Sequence, residues 1–211
     1  MTNADLMASF CSLGGNREFG AAQRAYGVEP PDLFRWAILE MPALLELLAR
    51  RFDGIGDDLA ANPPNTKGGF MIRSQRYGFR RHAWTRRGEI PVDVVLADAE
   101  ARLPQLAKEL VDDLGSSHRI FVRLPDARGN EHGIDRLVTL IRQYGEAPLL
   151  FVAKETPEHP AGTVEHVGNG LLRGYNSRFA DPNNVMATTP AAEWLGLCRA
   201  ARAMVDEHGR A

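Results

Sequence analysis

Lysine is nearly missing from this chain: Lys67, Lys108 and Lys154 are the whole supply, and arginine carries the rest of the 25 cationic side chains. We read that bias as a mark of genome composition rather than of function. Cysteine is scarcer still, with Cys11 in an apolar strand-like run and Cys198 in a helix-like run near the end. Neither belongs to a CxxC pair, and no two histidines stand at the HxxxH spacing, so no metal site is expected. Two buried free thiols are expected rather than a disulfide. No apolar run approaches the roughly 20 residues that span a bilayer. The opening MTNADLMASF lacks a basic region followed by an apolar stretch and a cleavage site, so a cytoplasmic protein is expected. With a net charge of −2 and a pI near 6.3, the chain has no general attraction for nucleic acid or an anionic membrane, and neither is expected as a partner. GxGxxG, a Walker lysine and GxSxG are absent too, and no cofactor is expected. The sequence holds no internal repeat and no low-complexity segment, and it does not fix an oligomeric state.

What is present suits one domain over residues 1–211, with 44% hydrophobic and 25% charged residues. Residues 7–13 read as a short strand stopped by Gly14-Gly15. A helix follows over 16–26, where Phe19, Ala22 and Tyr26 share one face, Gly27 serves as a C-cap and Pro30-Pro31 prevents continuation. A helical turn is expected over 31–36 and a helix over 41–52, then a loop rich in Gly, Asp, Asn and Pro over 53–69. Residues 69–74 and 77–84 read as a hairpin, and 92–114 as a long helix dented near Pro104. A strand over 118–124, an amphipathic helix over 133–144 and a strand over 148–154 form the strongest fold signal, because that order implies parallel pairing through a right-handed crossover. Short strands over 164–167 and 171–175 and a final helix over 191–207 complete the reading. The expected class is α/β, a mostly parallel central sheet flanked by helices with a β-hairpin insertion.

Ligands of open α/β sheets collect beyond the carboxyl ends of the strands. The first strand would deliver Ser12, Asn16, Arg17 and Glu18 there. The strand ending near Leu124 would deliver Arg123 and Asp126, and the strand ending near Lys154 would bring Lys154, Glu155 and His159. Against this stands a plainer reading, in which Ser12 and Asn16 cap a helix and the charges are solvated. A glycine-rich turn entering a helix also presents free N–H groups to an anion. In the hairpin, Arg73, Arg76, Arg80, Arg81, Arg86 and Arg87 surround His82, with Tyr77, Phe79 and Trp84 interleaved. Such a run suits phosphate or sugar recognition, and equally a hairpin with arginines outward and aromatics inward.

At SLGGNREFGAAQRAYGVEPPDLFRWA the chain resembles a bacterial family of unknown function labelled as papain-like cysteine peptidases. The likeness continues through RYGFRRHAW, RIFVRLPD and HPAGTVEHVGNGLLRGYNSRF, and so covers most of the length. In that family the opening reads SLGxNCEFG, with a cysteine where this chain has Arg17. The resemblance implies an α/β core, a histidine partner at His82 and an association with bacterial polysaccharide systems. A papain-type nucleophile is a thiolate paired with histidine, and arginine cannot take that role. Cysteine-peptidase activity is therefore expected to be absent.

Two functions remain open. In one, Asn16, Arg17, Glu18, Arg80 and Arg123, with His82, hold an anionic or sugar ligand, and the protein is a binding or accessory factor. In the other, Ser12 is the nucleophile of a hydrolase or transferase with His82 or His159 as base. The enzyme needs a serine and a histidine within hydrogen-bond reach; the binding protein needs arginines converging without that pair.

Overall fold

The structure, a computed structural model, describes residues 1–62, 69–83, 90–125 and 131–208. Trp84, Arg86, Arg87 and Asp126 of the sequence reading lie outside them. In chain order the elements are α1 (Asn3–Ala8), β1 (Phe10–Ser12), α2 (Glu18–Ala25), β2 (Ala37–Ile38), α3 (Met41–Ala49), β3 (Leu59–Asn62), β4 (Phe70–Ser74), β5 (Arg80–Ala83) and α4 (Val92–Ser116). They continue as β6 (Ile120–Arg123), α5 (Ile134–Arg142), β7 (Leu149–Lys154), β8 (Val164–Gly168), β9 (Leu171–Asn176), α6 (Val185–Thr188) and α7 (Ala191–His208).

A five-stranded sheet has the order β1-β6-β7-β9-β8, parallel except for the β8 edge. β6 and β7 are apolar on both faces because helices cover both: Phe121, Leu149 and Phe151 join α3, α4 and α5, while Val122, Leu150 and Val152 join α2 and α7. The expected unit of β6, α5 and β7 is there, with Phe121 opposite Leu149. The chain is thus an α/β fold with a mostly parallel sheet flanked by helices.

Three departures have local causes. Residues 7 and 8 belong to α1 rather than to the first strand. A capping box starts that helix: Thr2 Oγ1 accepts from Asp5 N–H at 3.1 Å and the Asp5 carboxylate accepts from Thr2 N–H at 2.9 Å. The expected loop over 53–69 contains β3, whose Leu-Ala-Ala-Asn has weak strand propensity and is set by pairing with β4. The hairpin is part of a second, four-stranded sheet of order β2-β5-β4-β3. The expected long helix over 92–114 is α4, which carries Pro104 inside it and is held by a buried stripe of Val95, Ala99, Leu103, Leu106, Leu110 and Leu114.

Cys11 and Cys198 are free and buried, and burial pushes both thiols up. Both are expected to react with Ellman's reagent only as the fold opens. Rapid labelling of either thiol in native buffer would contradict this placement.

Candidate functional site

Because β1, β6, β7 and β9 are parallel neighbours, their carboxyl ends lie along one edge. At the end of β1 the chain turns through Gly14 (φ +76°) and Gly15 (φ +98°), a left-handed pair that side chains disfavour. Any Cβ on Gly15 would sit 2.9 Å from the Leu124 carbonyl, so the turn lies flat on the end of β6. Ser12 is fully buried, and its Oγ accepts the Gly14 N–H at 3.2 Å. Asn16 Oδ1 accepts the Glu18 N–H at 2.8 Å, a local turn just ahead of α2. Both side chains therefore shape the turn, but neither is the helix cap of the plainer reading: the N-cap of α2 is Arg17, which makes no side-chain capping bond.

Glu18 and Arg123, named from sequence as ligand contacts, point inward. The Glu18 carboxylate accepts from Ala180 N–H at 2.8 Å and from the Trp194 indole N–H at 2.9 Å. Burial raises its pKa and these two bonds oppose the rise. It ties the segment before α6, and α7, to the start of α2. Arg123 is 0% exposed: Nη1 donates to the Leu13 carbonyl at 3.0 Å and Nη2 to the Leu39 carbonyl at 2.9 Å. It clamps the end of β1 to the chain leaving β2. Through these internal bonds both side chains hold the turn.

Arg17 points the other way. Its Nη1 lies 2.6 Å from His82 Nε2, and its Nη2 donates to the Pro182 carbonyl at 2.9 Å. A guanidinium only donates, so Nε2 must accept and the imidazole is neutral with its proton on Nδ1. His82 lies on β5 opposite Met71, and strand alternation puts exposed Arg80 on the same face. Burial, reinforced by Arg17, lowers the His82 pKa from 6.5 to about 4. Arg17 is itself shifted down, first by burial and then by Arg80. Among the described residues no carboxylate lies within ion-pair distance of Arg17, and its two partners are neutral. The arrangement is a part-buried cation, positioned by a histidine and a carbonyl, with a second arginine in its field. It can accept negative charge.

The Ser12 hydroxyl makes no hydrogen bond to a histidine among the described residues, and the Nε2 lone pair of His82 is directed at Arg17. His159 lies 2.7 Å from Glu165 and stacks on Tyr175 at 4.7 Å between ring centres. Tyr175 is on β9, three strand spacings or roughly 14 Å from β1. Cys11 lies on the opposite sheet face from Ser12, near Asp32 and Arg119, with its thiolate disfavoured. Arg119, not singled out from sequence, binds both Asp32 oxygens at 2.8 and 3.0 Å and Asp113 at 2.8 Å. No group of three or more His, Cys, Asp or Glu side chains among the described residues is arranged to hold a metal.

The His82 shift fixes a direction of pH dependence. As pH falls, the unfolded chain takes up the imidazole proton near 6.5, whereas the folded chain resists until about 4. The neutral ring's contribution to stability is thus complete above pH 6.5 and is lost on descending towards pH 4. The full linkage is about 3 kcal/mol, and partial exposure screens it to about 1–2 kcal/mol. Urea unfolding at pH 7 and pH 4.5 should show that loss in the native chain and a smaller one in His82→Asn. Equal pH dependence in both would remove His82 as its source.

No family model, curated protein or solved structure matches this chain.

Proposed function

We propose that this protein binds an anionic ligand, a sugar phosphate or a similarly charged saccharide, at the SLGGNREFG turn, and performs no nucleophilic chemistry there. The observation that carries the reading is Arg17: a part-buried guanidinium directed by neutral His82 and the Pro182 carbonyl, with no carboxylate to neutralise it among the described residues. Arg80 adds a second positive charge on the same side. In the family the chain resembles, position 17 carries the presumed nucleophile. Here it carries a fixed charge, which exchanges attack on a carbonyl for electrostatic capture. The family's link to polysaccharide systems makes phosphorylated saccharides the natural ligand class and an accessory part in such a system the natural role.

Isothermal titration calorimetry with glucose 1-phosphate, inorganic phosphate and glucose tests this directly. Both phosphate compounds should bind, glucose 1-phosphate at a Kd of about 0.1–1 mM, and glucose should show no saturable heat. A fluorophosphonate probe should leave Ser12 unlabelled. Equal binding of glucose and its phosphate would remove the charge from the account, and labelling of Ser12 would restore the hydrolase.

A further inference from the structure

A second feature uses the other face of β5. Strand alternation turns Arg81 away from Arg17, and its register opposite Ile72 puts both on the face that packs against α4. There the sheet and α4 enclose a cavity of about 480 Å³. That is the size of a small-molecule site rather than a packing defect. Its floor is apolar, with Ile72, Val95 and Leu103 nearly fully buried. Two further lining residues, Ile90 and Val94, are 38% and 51% exposed, so the cavity opens to solvent through an apolar rim.

Into this apolar space projects one cation with little to hold. Among the described residues, the only hydrogen bond of Arg81 is Nη1 donating to the Leu33 carbonyl at 3.4 Å, and no carboxylate is within ion-pair distance. Arg102, also on the wall, lies 3.7 Å from Asp98 of the same helix. With those two offsetting each other and His82 neutral, the described lining residues carry a net charge of about one positive unit. Burial, then Arg102, depress the Arg81 pKa, while Asp98 and Asp32, beyond ion-pair distance, oppose the fall. A planar carboxylate matches the guanidinium fork and cancels one unit; a doubly charged phosphate would remain half uncompensated.

We infer that this cavity is a binding site for an amphiphilic monoanion, an alkyl or aryl carboxylate whose apolar body lies against Ile72, Val95 and Leu103 and whose carboxylate is taken by Arg81. The site is separate from the Arg17 turn, sharing only the His82 wall, and requires no chemistry.

Calorimetric titration with decanoate, 1-decanol and decyltrimethylammonium tests it on the full chain. Decanoate should bind one per chain and more tightly than either other probe. Arg81→Met, which keeps the aliphatic stem, should weaken decanoate about 10- to 100-fold and 1-decanol by less than about twofold. Arg81→Lys should recover about tenfold of that loss, and circular dichroism should show both variants folded. If decyltrimethylammonium binds as tightly as decanoate, the proposal is overturned. The same follows if Arg81→Met weakens decanoate and decanol equally, or if decanoate does not bind.

Discussion

Arg17→Gln weakens glucose 1-phosphate binding by about 10- to 100-fold. Glutamine can still reach a carbonyl or a ring nitrogen, so the turn should survive. What it removes is the charge and the planar fork, and charge-assisted bonds to phosphate are about twice as strong as neutral ones. Arg17→Lys keeps the charge as a single point and should fall between the two. A second readout separates electrostatics from packing. Because Arg17 is the smaller of two causes depressing the His82 pKa, Arg17→Gln should move that pKa part of the way from about 4 towards 6.5, burial holding the remainder. Histidine carbon shifts followed against pH report this. A weakened affinity with an unmoved His82 pKa would mean that the variant acts without the contact between them.

Arg123→Ala should be the most damaging change to stability, at about 3–5 kcal/mol. The side chain is fully buried, so truncation opens a cavity in the largest apolar cluster and takes away the donors to the Leu13 and Leu39 carbonyls. Gly14 and Gly15 lie within reach of the same guanidinium, since a Cβ on either would stand 3.6 or 3.4 Å from Nη1. Loss of the clamp should therefore loosen the turn as well as the core. Arg123→Met keeps most of the volume and should cost less than alanine. Urea denaturation followed by circular dichroism gives the two values. A cost below about 1 kcal/mol for alanine would show that the guanidinium is not clamping the turn.

The contrast between Arg17 and Arg123 marks what was legible in the sequence. Both stand where a parallel sheet collects its ligands, and periodicity placed both near carboxyl ends. Burial was not legible, because it depends on partners far along the chain: the Leu39 carbonyl that accepts from Arg123, and the Ala180 and Trp194 N–H groups that donate to Glu18. The β6-α5-β7 unit could be read because its apolar periods are long and its crossover geometry is restricted. Strand β3 could not, since two alanines carry no strand signal until β4 pairs with them. Helix α1 left a usable sign in Thr2 and Asp5, three apart, which outweighs the apolar run that follows. The Pro182 carbonyl, which fixes one arm of Arg17, has no sequence signature at all.

Everything proposed for the turn rests on Arg17 being open to an anion while His82 positions it. Adding inorganic phosphate at pH 7 while following the Arg17 guanidinium and His82 ring resonances by NMR tests this most directly. The expected result is that both sets shift together along one saturable curve, with the ring still in its Nδ1–H form. Resonances that stay fixed through tens of millimolar phosphate, or a ring already protonated at pH 7, would contradict it.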